Sequence, residues 1–193
     1  MWKKKHEFRP DRTGSGFVGK LYITHKQRFN LLKWLLLTVV LLCLSLLQDV
    51  ILCRLRINGA TTDLVSAGIL LLCIMLPTDA CAIFALASSV LFFFSGMAAG
   101  PYSILFLTAL GIVLNILRSS YLRKGFSTTL LCSGTALLLY ELAIFVMGLF
   151  LGHTTGSRIP GFLLTWLLST AAMPLLYPIF LSIGNIGGES WKE

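Results

Sequence analysis

Charged side chains are scarce in this sequence. Of its 193 residues, 12% are charged and 56% are hydrophobic, whereas a typical soluble domain has about twice that charged fraction. The composition therefore argues against an ordinary water-soluble domain. Because one helical bilayer span takes about 20 residues, the chain length suits one membrane domain of several helices joined by short loops.

Residues that build catalytic or metal sites are also few. The three histidines, His6, His25 and His153, are scattered, and the five cysteines show no CxxC spacing. Most of these cysteines lie in apolar runs, where cysteine behaves as a small hydrophobe. Since no nucleophile is paired with a base and no metal-ligand cluster is present, the sequence predicts neither catalysis nor a metal or cofactor.

One segment matches a nucleotide-binding loop only in part. Residues 14–20 fit most of the GxxxxGK[ST] spacing, but Leu21 stands where the magnesium-binding hydroxyl would be. No predicted strand precedes this segment, so the structural context of a phosphate-binding loop is absent. We interpret it as part of a basic, glycine-containing tail.

Six apolar runs follow the polar tail at residues 1–30. Pro77 ends the second run, which is short for a bilayer span, and Gly100-Pro101 precedes the fourth. The runs cover residues 31–53, 64–76, 80–97, 102–117, 128–151 and 160–183, and residues 184–193 form a short second tail. The sequence thus predicts an all-α membrane protein whose six-transmembrane-helix bundle occupies residues 31–183.

The basic residues lie beside these apolar runs and predict an orientation. With the N-terminus inside, the cytoplasmic side carries thirteen basic residues and the outer side three. The inner set is Lys3, Lys4, Lys5, Arg9, Arg12, Lys20, Lys26, Arg28, Lys33, Arg118, Arg123, Lys124 and Lys192, and the outer set is Arg54, Arg56 and Arg158. The positive-inside rule therefore places both termini in the cytoplasm. Attraction to anionic membrane lipids accounts for the net charge of +8 without nucleic acid.

Polar side chains inside the predicted spans are few. Glu141 lies near the middle of the fifth run, where an ionisable group costs a few kcal/mol and normally faces a bundle interior or a partner. It is interpreted either as an interhelical hydrogen-bonding group or as part of a partner interface or polar cavity. A proton relay would need a second mid-membrane acid, which the predicted spans lack.

Five further positions complete the candidate set. Gln48 and Asp49 lie deep enough in the first run to need hydrogen-bond partners, and Asp63 can cap the N-terminus of the second helix. Gly96 and Gly100 have the GxxxG spacing that permits close helix packing, although Pro101 favours a turn there.

Several short segments occur in an order that resembles a known family. They are Leu47-Gln48, Ile57-Asn58-Gly59, Asp63-Leu64, Phe94-Ser95-Gly96 through Gly100, Ile104-Leu105, Tyr140-Glu141-Leu142, and Met173-Pro174-Leu175 through Pro178. In this order and spacing the chain resembles the rod shape-determining protein MreD family of bacterial cell-wall elongation. It departs from that pattern at Thr62, where the family usually has proline, and at residues 92–94, which lack an acid common in its third helix.

The resemblance implies a non-catalytic scaffold in the bacterial cytoplasmic membrane. MreD-like proteins associate with the bitopic protein MreC and support a complex of a RodA-type glycosyltransferase and a class B penicillin-binding protein. Because the outer connections are too short to fold as domains, binding is expected to use the spans. The candidate partner-binding residues are Gln48, Asp49, Asp63, Gly96, Gly100 and Glu141, and surfaces of this kind could also pair two copies as a homodimer.

A second function is compatible with the same architecture. The substrate-binding S components of energy-coupling factor vitamin transporters also have about six helices and a basic cytoplasmic side, and their fold is thought to be similar. These proteins commonly carry an AxxxA patch in the first helix, whereas residues 31–53 contain no alanine. A tightly bound vitamin would favour this alternative.

Overall fold

The computed structural model describes residues 25–54, 59–96, 98–121 and 125–185. The segment 14–20 and most of the two predicted tails lie outside these residues. The described part of the chain contains six α-helices, named in chain order α1 His25–Leu47, α2 Leu64–Met75, α3 Thr78–Phe94, α4 Tyr102–Tyr121, α5 Phe126–Phe150 and α6 Ile159–Gly184. A π-helical turn, Gln48–Leu52, continues α1, and a short 3-10 turn, Gly156–Arg158, precedes α6.

These helices follow the predicted apolar runs closely. The largest differences are at α1, which begins within the predicted tail, and at α4, which continues to Tyr121 instead of ending at residue 117. Arg118 was expected in a loop but lies in the last turn of α4. A basic residue is favourable there because the C-terminal end of a helix carries partial negative charge.

Four of the six helices are long and apolar enough to cross a membrane, so the chain is a multi-pass membrane protein. They are α1 with its π-helical turn, α4, α5 and α6, and the 12 residues of α2 and 17 of α3 make shorter apolar helices. At 1.5 Å per residue, α2 rises about 18 Å and α3 about 26 Å, against a hydrocarbon thickness of about 30 Å. The six-span count stays a prediction.

Helix α2 forms the centre of the bundle. All 12 of its residues are buried, and it packs against each of the other five helices. A helix that is hydrophobic all round must be covered on every side, and here protein supplies that cover. The outer helices carry large apolar side chains on their other faces, such as Leu105 and Leu131, which are 67% and 69% exposed. Those faces suit contact with lipid.

The close approach of α4 to α2 depends on a glycine. A Cβ atom added to Gly111 would lie 2.9 Å from the Sγ atom of Cys73, and the two residues belong to α4 and α2. This distance is shorter than ordinary van der Waals contact, so a side chain at Gly111 would push the helices apart. Small residues commonly permit such contacts between membrane helices.

Candidate functional site

The two ends of α2 pose the main polar problem in the bundle. The first backbone N–H groups and the last carbonyl groups of any helix have no partner within the helix. At a membrane surface, water satisfies such groups, but the ends of this short helix lie among other helices, and an unsatisfied group in an apolar interior costs several kcal/mol. The cap residue Asp63 and side chains from neighbouring helices bind several of these groups at the two ends.

At the N-terminal end, Asp63 and Gln48 bind the first turn of α2. The Ser66 backbone N–H donates to Asp63 Oδ1 at 3.2 Å, and the Ser66 hydroxyl donates to Asp63 Oδ2. The Val65 N–H donates to Gln48 Oε1 at 2.9 Å, while Gln48 Nε2 donates to Asp63 Oδ1 at 3.3 Å. Gln48 begins the π-helical turn that follows α1 and is buried, so this pair joins α1 to α2.

Helix α6 reaches the same end of α2 through Ser169. The backbone N–H of Asp63 donates to the Ser169 hydroxyl oxygen at 2.8 Å, and that hydroxyl donates in turn to the Thr165 carbonyl at 2.8 Å. Ser169 is fully buried. The predicted capping role of Asp63 is confirmed, and its own backbone is also held.

At the C-terminal end, α4 supplies the partners. Asn115 Nδ2 donates to the carbonyl oxygens of Cys73 and Leu76 at 2.6 and 2.8 Å. Arg118 donates to the carbonyl oxygen of Ile74. Two carbonyl groups in the last turn of α2, and that of the capping residue after it, are therefore bound by α4. This places two polar side chains of α4 in structural roles.

The polar groups near Asp63 extend to α4 and α5. The Tyr140 side chain is buried, and its hydroxyl interacts with the hydroxyls of Ser66 and Ser103. Glu141 is partly buried and lies close enough to Asp63 for the two carboxyl groups to interact electrostatically. We call Gln48, Asp63, Ser66, Ser103, Tyr140, Glu141 and Ser169 the polar cluster, which draws on α1 with its π-helical turn and on α2, α4, α5 and α6.

The polar cluster lies deep in the bundle. Tyr140 is ten residues before the end of α5 at Phe150, and Ser169 is ten residues after the start of α6 at Ile159. At 1.5 Å per residue, each is about 15 Å from the connection between these helices, which is about half the hydrocarbon thickness. The hydrogen bonds of the cluster are therefore made where little water is available.

Glu141 differs from the rest of the cluster. Its side chain makes no hydrogen bond or ion pair among the described residues. The side chains of Gln48, Asp63, Ser66 and Ser169, in contrast, are bound to one another or to backbone groups. A carboxyl group at this depth needs a donor or a proton. The arrangement thus leaves one polar group of the cluster able to accept an external partner.

The six predicted site residues separate into two groups. Gln48, Asp63 and Glu141 come together in the polar cluster, although they are far apart in the sequence. Asp49 is exposed, and Gly96 lies in the turn after α3 with a φ of 77°, so the GxxxG pair is not within one helix. Gly100 touches the cluster indirectly, since the Ser103 hydroxyl donates to its carbonyl at 2.6 Å.

The sequence did not identify five polar residues in or around α2 as members of a site. They are Ser66, Ser103, Asn115, Tyr140 and Ser169. Asn115 stands alone in an apolar run, and this isolation was a usable signal. The serines gave none, because a serine in a membrane helix usually satisfies its hydroxyl with a carbonyl of its own helix. Only the packing of distant helices reveals their roles.

The described residues contain no group of three or more His, Cys, Asp or Glu side chains that could hold a metal ion. The polar cluster can donate and accept hydrogen bonds, and it presents the carboxyl group of Glu141, which has no hydrogen-bond partner among the described residues.

No protein-family model matches the chain, and no curated protein or solved structure matches it either.

Proposed function

We propose that this protein is a non-catalytic membrane scaffold of the bacterial cell-elongation complex. In this proposal it binds a bitopic partner of the MreC type through its membrane helices, and so supports a RodA-type glycosyltransferase and a class B penicillin-binding protein. The ordered segments that resemble the MreD family suggest the complex. The polar cluster suggests how the binding works.

Glu141 is the observation that carries the binding proposal. It is the one carboxyl group of the polar cluster without a hydrogen bond among the described residues, and it is only partly buried. Helix association in a bilayer relies on close packing and on interhelical hydrogen bonds. A donor on a partner helix would satisfy Glu141 and would fix the register of the two proteins.

The remaining cluster would act as a rigid support for this contact. Asp63 is fixed by Gln48, Ser66 and Ser169, and Glu141 belongs to the same polar cluster from α5. A contact surface held in place before binding loses less conformational freedom on association.

The proposed orientation places both termini in the cytoplasm of a bacterial inner membrane. It holds whether α2 and α3 each cross the bilayer or form a hairpin that enters it, because six and four crossings both return the chain to its starting side. The basic segment around Arg118 then faces the cytoplasm in both cases.

The binding experiment compares variants of Glu141 in lipid nanodiscs with a purified MreC-type protein from the same host. Glu141→Leu removes the acceptor, and we expect affinity to fall about 3-fold to 17-fold, the equivalent of roughly 0.6–1.7 kcal/mol for an interhelical hydrogen bond. Glu141→Gln keeps a carbonyl acceptor and should retain most of the binding. Thr135→Leu is the matched control, since Thr135 is an exposed polar residue of the same helix.

Three further tests address the cluster, the N-terminal tail and the host. A double variant, Gln48→Leu with Glu141→Leu, should bind less than either single variant, whereas removal of residues 1–25 should leave binding largely intact because the tail supplies mainly surface charge. Depletion in a rod-shaped host should give rounded cells. Equal binding by Glu141→Leu and Thr135→Leu would contradict the role given to Glu141, and no MreC-type binding at all would refute the scaffold.

A second candidate is the S component of a vitamin transporter. It is favoured by the position of α2, because a short helix whose N-terminus ends at a polar cluster deep in the membrane is typical of transporter binding sites. A vitamin that copurifies with the protein, together with assembly onto an ATPase-driven coupling module and no MreC-type binding, would select this function instead.

A further inference from the structure

A groove of about 350 Å³ lies between α1 and α3, with α2 as its floor. From the geometry and lining of this groove we infer that it is a binding site for one acyl chain of a membrane phospholipid. The groove is separate from the contact proposed for Glu141, and the inference does not depend on that function.

The groove is long and closed at one end. On α3 it is lined from Phe84 to Ser95, and on α1 from Thr38 to Ser45, intervals that rise about 16 Å and 10 Å. At its Phe84 end the rings of Trp34 and Phe84 meet with centroids 5.9 Å apart, which joins α1 to α3. An occupant therefore extends from that closed end toward the C-terminal end of α3.

Its width decides between a chain and a helix. The volume of about 350 Å³ is the space open to the centre of a water-sized sphere, and spread over about 10–16 Å it is about 5–7 Å across. Adding the sphere's radius of about 1.4 Å at each wall gives a groove about 8–10 Å wide. An α-helix with its side chains is about 10–12 Å across, so a partner helix does not fit. A single extended hydrocarbon chain does, and its length within one leaflet is limited to about half the 30 Å hydrocarbon core.

The polar atoms of the lining argue against a polar ligand. The hydroxyls of Thr38, Ser88 and Ser95 donate to carbonyl oxygens of their own helices. Ser45 is the remaining hydroxyl of the lining and has no hydrogen bond within the described part of the chain. A vitamin site would need several convergent polar groups, whereas this groove offers one hydroxyl among apolar side chains.

Photolabelling in reconstituted membranes tests the site. The protein is placed in phosphatidylcholine vesicles containing a trace of phosphatidylcholine with a diazirine in the middle of one acyl chain, and adducts are mapped by mass spectrometry. Leu41 and Val65 line the groove but are 8% and 4% exposed, so bulk lipid labels them poorly. We expect strong labelling of these two residues alongside exposed Leu105 and Leu131.

A filled groove supplies the control. Ala87→Phe places a ring within the lining, and labelling of Leu41 and Val65 should fall several-fold while labelling of Leu105 stays unchanged. Ala82→Phe adds the same ring to an exposed position of α3 outside the lining. In this variant, labelling of Leu41 and Val65 should match the wild type. Thermal denaturation of both variants shows whether each retains the wild-type fold, and a misfolded Ala87→Phe protein is replaced by Ala87→Leu.

Three outcomes would overturn the proposal. In the first, adducts occur on exposed residues alone and none on Leu41 or Val65. In the second, the Ala87 and Ala82 variants label identically. In the third, a photoreactive amino acid at Thr38, which lines the groove, crosslinks in cells to a protein instead of to lipid. That last result would assign the groove to a partner.

Discussion

Gln48→Leu tests the hydrogen bonds that hold the N-terminal end of α2. The substitution keeps a side chain of similar size but removes both the acceptor for the Val65 N–H and the donor to Asp63. The Val65 N–H then lies buried without a partner, which costs about 1–3 kcal/mol. Loss of the longer bond to Asp63 adds about 0.6 kcal/mol, the average found for interhelical hydrogen bonds in membranes.

The expected loss of unfolding free energy is therefore about 1.5–3.5 kcal/mol. For a chain of this size, that corresponds to a Tm roughly 3–14 °C lower. Thermal denaturation in a fixed detergent, followed by far-UV circular dichroism, measures the change. Hydrogen exchange of the Val65 amide gives a local measurement, and its protection should fall in the variant.

Asp49→Leu is the matched control for this experiment. Asp49 adjoins Gln48 but is exposed, and it makes no hydrogen bond within the described residues. Its replacement should change stability by no more than about 0.5 kcal/mol. If the two variants had the same Tm and the same Val65 exchange rate, the hydrogen bonds assigned to Gln48 would contribute nothing measurable, and the account of the α2 N-terminus would be wrong.

Three further predictions concern the other end of α2, its packing and the topology. Asn115→Leu should lower the unfolding free energy by about 1–3 kcal/mol, because the carbonyl oxygens of Cys73 and Leu76 lose their donor. The same denaturation assay measures the change, and an unchanged Tm would contradict this prediction. Gly111→Ala should lower the unfolding free energy by about 1–3 kcal/mol through overpacking against Cys73. Adding Cys73→Ala to that variant should recover part of the loss. If the losses of the two substitutions were strictly additive, the two positions would not collide. In a cysteine-free background, a cysteine at Ser119 should react with an impermeant maleimide only from the cytoplasm and one at Thr155 only from outside, and the reverse pattern would refute the orientation.

The positions of the helices were largely predictable from the sequence. Long apolar runs and breaks such as Pro77 and Gly100-Pro101 determine where helices start and end in a membrane protein, and the predicted and observed bounds mostly differ by a few residues. Asp63 was also predictable as a cap, since its acceptor must lie within three residues of the N–H group it binds. Local chemistry is sufficient for such features.

The central place of α2 was not predictable in this way. Its sequence is apolar on every face, and lipid and protein both accept such a surface, so periodicity cannot distinguish them. The polar cluster was equally hidden, because Gln48, Glu141 and Ser169 are far apart in the chain and meet only through helix packing. Gly96 and Gly100 have a spacing typical of packed helices, but they lie in the connection between α3 and α4. Gly96 has a positive φ and follows the end of α3, so the two glycines do not share a helix.

The hydrogen bond from Asp63 to Ser169 joins residues separated by 106 positions in the chain. During synthesis, α2 leaves the ribosome long before α6, so the N–H of Asp63, the residue before the central helix, has no acceptor on Ser169 until the last helix is made. A protein cut short before Ser169 would therefore lack a hydrogen bond beside its central helix as well as its last helix.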